Sequence, residues 1–410
     1  MTKSDPSRRA ICSCVAAGWL VTVVLGLLSN GVHHDDDLVH FLMARWSWWY
    51  PEYLLNVWGR PGMTLPLAAV SWPRDVEIAW HVARLLSATV SAAAAFIAAR
   101  LAARMGIERP WRVALLCYLQ PLFTVLGFTT LTENFTALYL IGAVSLLHAR
   151  RAALASCVFS MALLTRHEAV VFVPLWCWVI FRDRATMKRP LLAAILCLWA
   201  PIAHNLFSAA IQGYWPATLF FHPSGSTQYR PTAWGAYVPD AVYATTLPIF
   251  LLAGAGAAHL HRVVRPGLDN DHRSSRGTTF LIVAIPLLFF LLHAAFKALG
   301  VYASGGFARF MVAVAPFTAI CAAAGIHVLW GRDSNWRRRG ALLAAAITII
   351  IWAAVISETY AGRRVLPIPQ FLSDMNGSAR TIIDAAPHVL AAMLVGSLVF
   401  LGSVRKPRGR

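Results

Sequence analysis

The chain alternates long apolar runs with short polar breaks. Runs of about 18 or more apolar residues mark membrane-spanning helices. About twelve candidates follow one another, at 11–29, 80–101, 111–128, 134–148, 152–165, 168–181, 190–208, 241–261, 279–296, 308–330, 340–357 and 386–403. The short pair 152–165 and 168–181 reads as one interrupted hairpin around Thr165-Arg166-His167-Glu168. The first run follows Lys3, Arg8 and Arg9 and carries no A-x-A-like cleavage site, so it reads as a retained span and not as a signal peptide. The expectation is an all-α polytopic membrane protein, one transmembrane domain over 1–410 without a soluble C-terminal domain. Its longer breaks fall at 30–79, 209–240 and 358–386.

Composition agrees with that pattern. Of 410 residues, 58% are hydrophobic and 13% charged, against about 25% charged in soluble domains. The net charge of +18 invites a nucleic-acid reading, but its distribution opposes one. The basic clusters occupy alternate breaks: Arg100/Arg104/Arg109/Arg112, Arg150/Arg151, Arg182/Arg184/Lys188/Arg189, Arg262/Arg265/Arg273/Arg276, Arg332/Arg337/Arg338/Arg339 and the tail from Arg405. The other breaks are close to neutral. This is the positive-inside asymmetry, and it puts both termini in the cytoplasm with 30–79 outside. All seven cysteines lie inside the expected spans, which gives no disulfide framework and no zinc spacing.

The chemistry-bearing residues cluster at the outer ends of spans. Asp35, Asp36 and Asp37 follow His33 and His34 directly after the first span, and a helix starting there puts Asp36 and His40 on one face. Trp46, Trp48, Trp49, Tyr50, Tyr53 and Trp58 come next, a set that suits an interfacial helix at headgroup level. The turn Gly59-Arg60-Pro61-Gly62 closes the stretch. Glu133 follows the third span, at the outer edge of a hydrophobic hairpin, either as an exposed helix-start charge or as part of a polar cavity. Arg166, His167 and Glu168 sit between apolar runs, where each unpaired charge costs about 2.5–3.5 kcal/mol, so they pair, reach water or bind a ligand. The aromatic segment 209–240 reads as a lid or as a connector. Lys297 and the glycines after it lead to Arg309, which heads an apolar run and either snorkels or clamps an anion. Asn134-Phe-Thr and Asn376-Gly-Ser match the short glycosylation sequon.

Taken together, these motifs resemble the GT-C class of polytopic glycosyltransferases: protein O-mannosyltransferases, aminoarabinose transferases and lipid-linked mannosyltransferases. Asp36-Asp37-x-x-His40-Phe41-x-x-Ala44-Arg45 looks like the acidic pair of their first outer loop. Leu164-Thr-Arg166-His-Glu168-Ala resembles the T-R-x-E stretch of bacterial members. Ala308-Arg309-Phe310 with Pro316 resembles their arginine–aromatic start of a late span. The third aspartate, and Asp37 where many relatives have Glu, depart from the pattern and leave the register of the pair open.

The resemblance implies a bacterial plasma-membrane enzyme with an extracytoplasmic site. Its donor is a sugar on a polyprenyl phosphate, and its acceptor is a hydroxyl on a protein, lipid or glycan. The implied base is Asp36, with Asp37 orienting and Asp35 in reserve. Arg309, Arg166 and Lys297 would hold the donor phosphate. His40, Arg60, Glu133, His167 and Glu168 would line the substrate site. No cofactor is expected, although a divalent metal on His33, His34 and the aspartates stays open as a second reading. A transporter or flippase of lipid-linked saccharides is the alternative function, since it shares the polytopic layout and the positive-inside charge.

Overall fold

A computed structural model describes residues 6–29, 32, 35–220, 230–263, 272–300, 306–329 and 334–360, and among them every regular element is helical. Helix α1 is Pro6–Leu28, α2 Asp35–Trp46, α3 Pro61–Val70 and α4 Val76–Arg104. The chain continues through α5 (Trp111–Tyr118), α6 (Pro121–Val125), α7 (Thr132–His148) and α8 (Ala152–Thr165). Then come α9 (Val173–Arg182), α10 (Pro190–Leu196), α11 (Trp199–Gln212) and α12 (Tyr237–Thr245). The last four are α13 (Leu247–Val263), α14 (His272–Leu299), α15 (Ala315–Leu329) and α16 (Ser334–Tyr360). Three 3-10 segments matter for the site region: Pro51–Leu55, His167–Phe172 and Ala308–Val314.

Local chemistry sets the boundaries. Proline opens α3, α6 and α10, where a missing N–H costs nothing. Asp75 caps α4: its Oδ1 accepts from Glu77 N at 2.8 Å and Ile78 N at 3.0 Å. The aromatics expected at the headgroup level do lie on the surface; Trp46, Trp48, Trp49, Tyr50 and Trp58 are all exposed along α2 and the turn to α3.

The described residues do not confirm a count of twelve spans. Four stretches are long and apolar enough to cross a membrane: Ser7–Leu28, Val76–Arg104, Arg276–Leu299 and Ala308–His327. Two bent pairs raise that to six, one kinked by 45° between α10 and α11 and one by 105° between α12 and α13. The expected span 111–128 is broken instead into α5 and α6, because Pro121 cannot continue the preceding helix. Hydropathy counts apolar residues and does not see such breaks. The expected span 386–403 and most of the segment 358–386 lie outside the described residues, as do 221–229 of the expected lid.

In Ala308–His327, 94% of the residues in the apolar window are buried, whereas in Ser7–Leu28 the share is 28%. Helices α13 and α15 approach each other closely. A Cβ on Gly256 would lie 1.7 Å from Cys321 O, and one on Gly325 2.0 Å from Leu252 O, so only glycine permits this spacing. Gly62 plays the same part for the site. A Cβ there would fall 2.3 Å from Thr165 Oγ1, so its absence lets the start of α3 press on the end of α8. Arg84 fastens α4 to the end of α1, donating to Gly26 O at 3.0 Å and Ser29 O at 2.7 Å. These carbonyls are the orphan acceptors of a helix C-terminus.

Candidate active site

Asp35, Asp36 and Asp37 form the first turn of α2, where the helix dipole favours negative charge. Successive residues of a helix point about 100° apart, so the three meet different surroundings. Asp35 is exposed and its Oδ1 accepts from Asp36 N at 3.0 Å. Asp37 is fully buried, and its Oδ1 accepts from Thr130 N and Thr130 Oγ1, both at 2.7 Å. That carboxylate fastens α2 to the turn before α7. Asp36, half-buried between them, meets the Arg309 guanidinium directly.

From Arg309 the charges continue inward. Its Nε lies 3.5 Å from Glu133 Oε1. The same oxygen accepts from Arg166 Nη1 at 2.8 Å, and Arg166 Nη2 donates to Glu168 Oε1 at 2.7 Å. Asp36, Arg309, Glu133, Arg166 and Glu168 therefore form one alternating chain of acid and base, drawn from segments up to 273 positions apart. Glu133 is in the first turn of α7, again at the positive end of a helix. Arg166 ends α8 in extended backbone, with φ −140° and ψ 118°. That break turns its side chain back toward α7. Glu133, Arg166, Glu168 and Arg309 are all buried. Charges at this depth persist because each is paired.

The aromatic Phe310 lies under both cations, 3.9 Å from Arg166 Cζ and 5.4 Å from Arg309 Cζ. Arg309 Nη1 is buried without a hydrogen-bond partner among the described residues, and so is Glu168 Oε2. A cation with an uncommitted donor and a carboxylate with an uncommitted acceptor suit a ligand carrying both anionic oxygens and hydroxyls.

The remaining expected residues have definite places. Arg60 Nη1 donates to His167 Nδ1 at 2.8 Å beside the chain. His40 is buried, and its Nδ1–H donates to Thr130 O at 3.3 Å, so this ring, like Asp37, holds the turn 129–131. Burial is the main reason its pKa falls from 6.5 to about 4; Arg60 and Arg309 add to the fall, against Asp36 and Glu133. His40 is thus a neutral ring. Lys297, at the end of α14, pairs with Asp240 on α12. Asn134 is no glycosylation site in this fold: it is fully buried and its Nδ2 donates to Leu126 O at 2.8 Å. His33 and His34 lie outside the described residues, and among those described no group of three or more His, Cys, Asp or Glu could hold a metal.

Sequence reasoning passed over Thr130, Thr132, Asp240 and His293. Thr132 Oγ1 accepts from Arg166 Nη1 at 3.2 Å. The ring of His293, on α14, lies 5.0 Å from that of Phe310, and the charges acting on it are those of Arg166, Glu168 and Glu133. The Thr129-Thr130-Leu131-Thr132 run was the one available signal, as hydroxyls gathered between apolar runs. A lone histidine in an apolar helix gave none.

Known structures bear on this arrangement. The crystal structure of ArnT from Cupriavidus metallidurans bound to undecaprenyl phosphate aligns with 96% of this chain and 73% of its own, with a TM-score of 0.63 and 14% sequence identity. The fold is ArnT-like. This agrees with the expected all-helical membrane fold, with helices of membrane-spanning length. No family model and no curated protein matches the sequence.

Proposed function

We propose that this protein is an extracytoplasmic glycosyltransferase that moves a sugar from a polyprenyl phosphate to an acceptor hydroxyl. The observation carrying this reading is the buried chain from Asp36 through Arg309, Glu133 and Arg166 to Glu168. It is supported by the ArnT-like fold, whose solved example binds undecaprenyl phosphate.

The chemistry follows from the charges. Arg309 takes the donor phosphate, since a guanidinium matches phosphate oxygens in a two-pronged fork and Nη1 is uncommitted. Phosphate and Asp36 compete for that guanidinium, so donor binding loosens the Asp36 carboxylate. Asp36 then accepts the proton of the attacking hydroxyl. The new bond forms between the acceptor oxygen and the anomeric carbon as the bond from that carbon to the phosphate oxygen breaks. The electron pair leaves on the polyprenyl phosphate, where Arg309 and, behind it, Arg166 stabilise the growing charge. A single displacement inverts the anomeric configuration. Glu168, with its uncommitted Oε2, receives sugar hydroxyls. The orientation rests on the positive-inside charge pattern, which puts the N-terminal end of α2 outside.

The test is product analysis on purified protein in liposomes with a radiolabelled polyprenyl-phosphate sugar. A new glycoside of inverted configuration is the expected result. Label that crosses the bilayer without forming a new bond would mean transport and would overturn the reading.

A further inference from the structure

We propose that Phe310 is a positioning residue, a π-platform that holds Arg166 and Arg309 together as one phosphate-recognising unit. This rests on the functional reading given above and assigns a role to a side chain that carries no polar atom. The difficulty it answers is electrostatic. Both guanidiniums reach the single oxygen Oε1 of Glu133, at 2.8 Å and 3.5 Å, so two like charges sit side by side in a buried place. Glu133 neutralises one charge and Glu168 belongs to Arg166. Asp36, the remaining counter-charge of Arg309, is also the proposed base. When a phosphate displaces Asp36, the charged contact left to align the Arg309 plane among the described residues is Glu133 Oε1, 3.5 Å from Nε and shared with Arg166.

Phe310 supplies a further restraint. Its ring is 98% buried and flanked by His293, with ring centroids 5.0 Å apart, and by Phe307 at 5.8 Å, whose own ring also lies 5.4 Å from Arg309 Cζ. Arg166 Cζ lies 3.9 Å from its centroid and Arg309 Cζ 5.4 Å. The negative face of an aromatic ring attracts a cation most strongly where water is excluded. It makes no hydrogen bond, so it takes up no N–H of either guanidinium, and Arg309 Nη1 stays available to ligand oxygen. Residues 308–314 form a 3-10 segment that buries both Arg309 and Phe310. An aliphatic residue of similar size would fill the space and provide none of the attraction.

The experiment compares Phe310→Leu, Phe310→Tyr and wild type in two assays. One is equilibrium binding of farnesyl phosphate, a short prenyl phosphate without sugar, to detergent-solubilised protein. The other is steady-state transfer with the sugar-bearing donor. For Phe310→Leu, the expected result is an about tenfold weaker affinity for farnesyl phosphate and a matching rise in donor KM with kcat nearly unchanged. Phe310→Tyr, which keeps the ring, restores both. Unchanged affinity in Phe310→Leu overturns the proposal, as does equal impairment of Leu and Tyr variants accompanied by lowered melting temperatures, which would mark mere packing. Wild-type protein that fails to bind farnesyl phosphate overturns it too. Wild-type protein that binds the prenyl phosphate but transfers no sugar overturns the glycosyltransferase reading alone.

Discussion

Asp36, Glu133 and His40 each make a claim that one substitution can check. Asp36→Asn removes the proposed base but keeps a hydrogen-bonding side chain of the same size at the helix start. Transfer is expected to fall by about 10²–10⁴ while the protein still inserts and binds prenyl phosphate. Undiminished turnover would remove Asp36 from the reaction. Glu133 carries a different burden, because its Oε1 serves two arginines. Glu133→Gln leaves buried positive charge uncompensated and is expected to cost about 3–5 kcal/mol, read as a lowered midpoint in thermal unfolding. His40 stays neutral in the fold down to about 4, whereas a free imidazole titrates at 6.5. Between those two values the unfolded chain takes up a proton that the folded protein refuses. Stability contributed by the neutral ring is therefore full above 6.5, lost as pH falls toward 4, and constant below. His40→Gln, which keeps a donor for Thr130 O, is expected to flatten that part of the stability profile. An identical acid slope in the variant would show that another group causes it.

Among the helices, close approach decides what the side chains then do. Helices α13 and α15 meet through Gly256 and Gly325, where an added Cβ collides with backbone carbonyls. Backbone cannot step aside as a flexible side chain does, so Gly256→Ala is expected to lower the melting temperature, at a cost of about 1–3 kcal/mol. Gly254, two residues earlier on the same helix, has open space within 4 Å. Gly254→Ala is expected to be neutral or slightly stabilising, by up to about 1 kcal/mol from helix propensity. The contrast between two neighbouring glycines tests the packing directly. At the site, α2 and α7 each present a carboxylate in the first turn, Asp36 and Glu133, so two helix dipoles support the acids facing Arg309 and Arg166. The extended backbone at Arg166 was legible only as a charged interruption between apolar runs. Its direction depends on Gly62 letting α3 reach Thr165.

For the whole molecule, the membrane orientation proposed from the charge pattern is open to labelling. Glu52 is exposed beside the aromatic turn, and Arg184 is exposed in a basic break. In intact cells, a membrane-impermeant maleimide is expected to label Glu52→Cys above the parent protein and Arg184→Cys only after permeabilisation. The opposite pattern would put the charged chain on the cytoplasmic face and remove the lipid-donor reading. Hydrophobic periodicity alone determined that this is a helical membrane protein, because burying backbone polar groups in lipid leaves few other structures. The sequence also marked Asp36, Glu133, Arg166, Glu168 and Arg309, since charge beside apolar runs is costly and so conspicuous. It could not determine which of three adjacent aspartates faces a cation, because a helix start points them in three directions and only the turn at Thr130 picks out Asp37 for burial. Nor could it pair Lys297 with Asp240 or bring Phe310 beneath two arginines. Those are long-range contacts between segments that hydropathy treats as equivalent, and packing in three dimensions alone decides them.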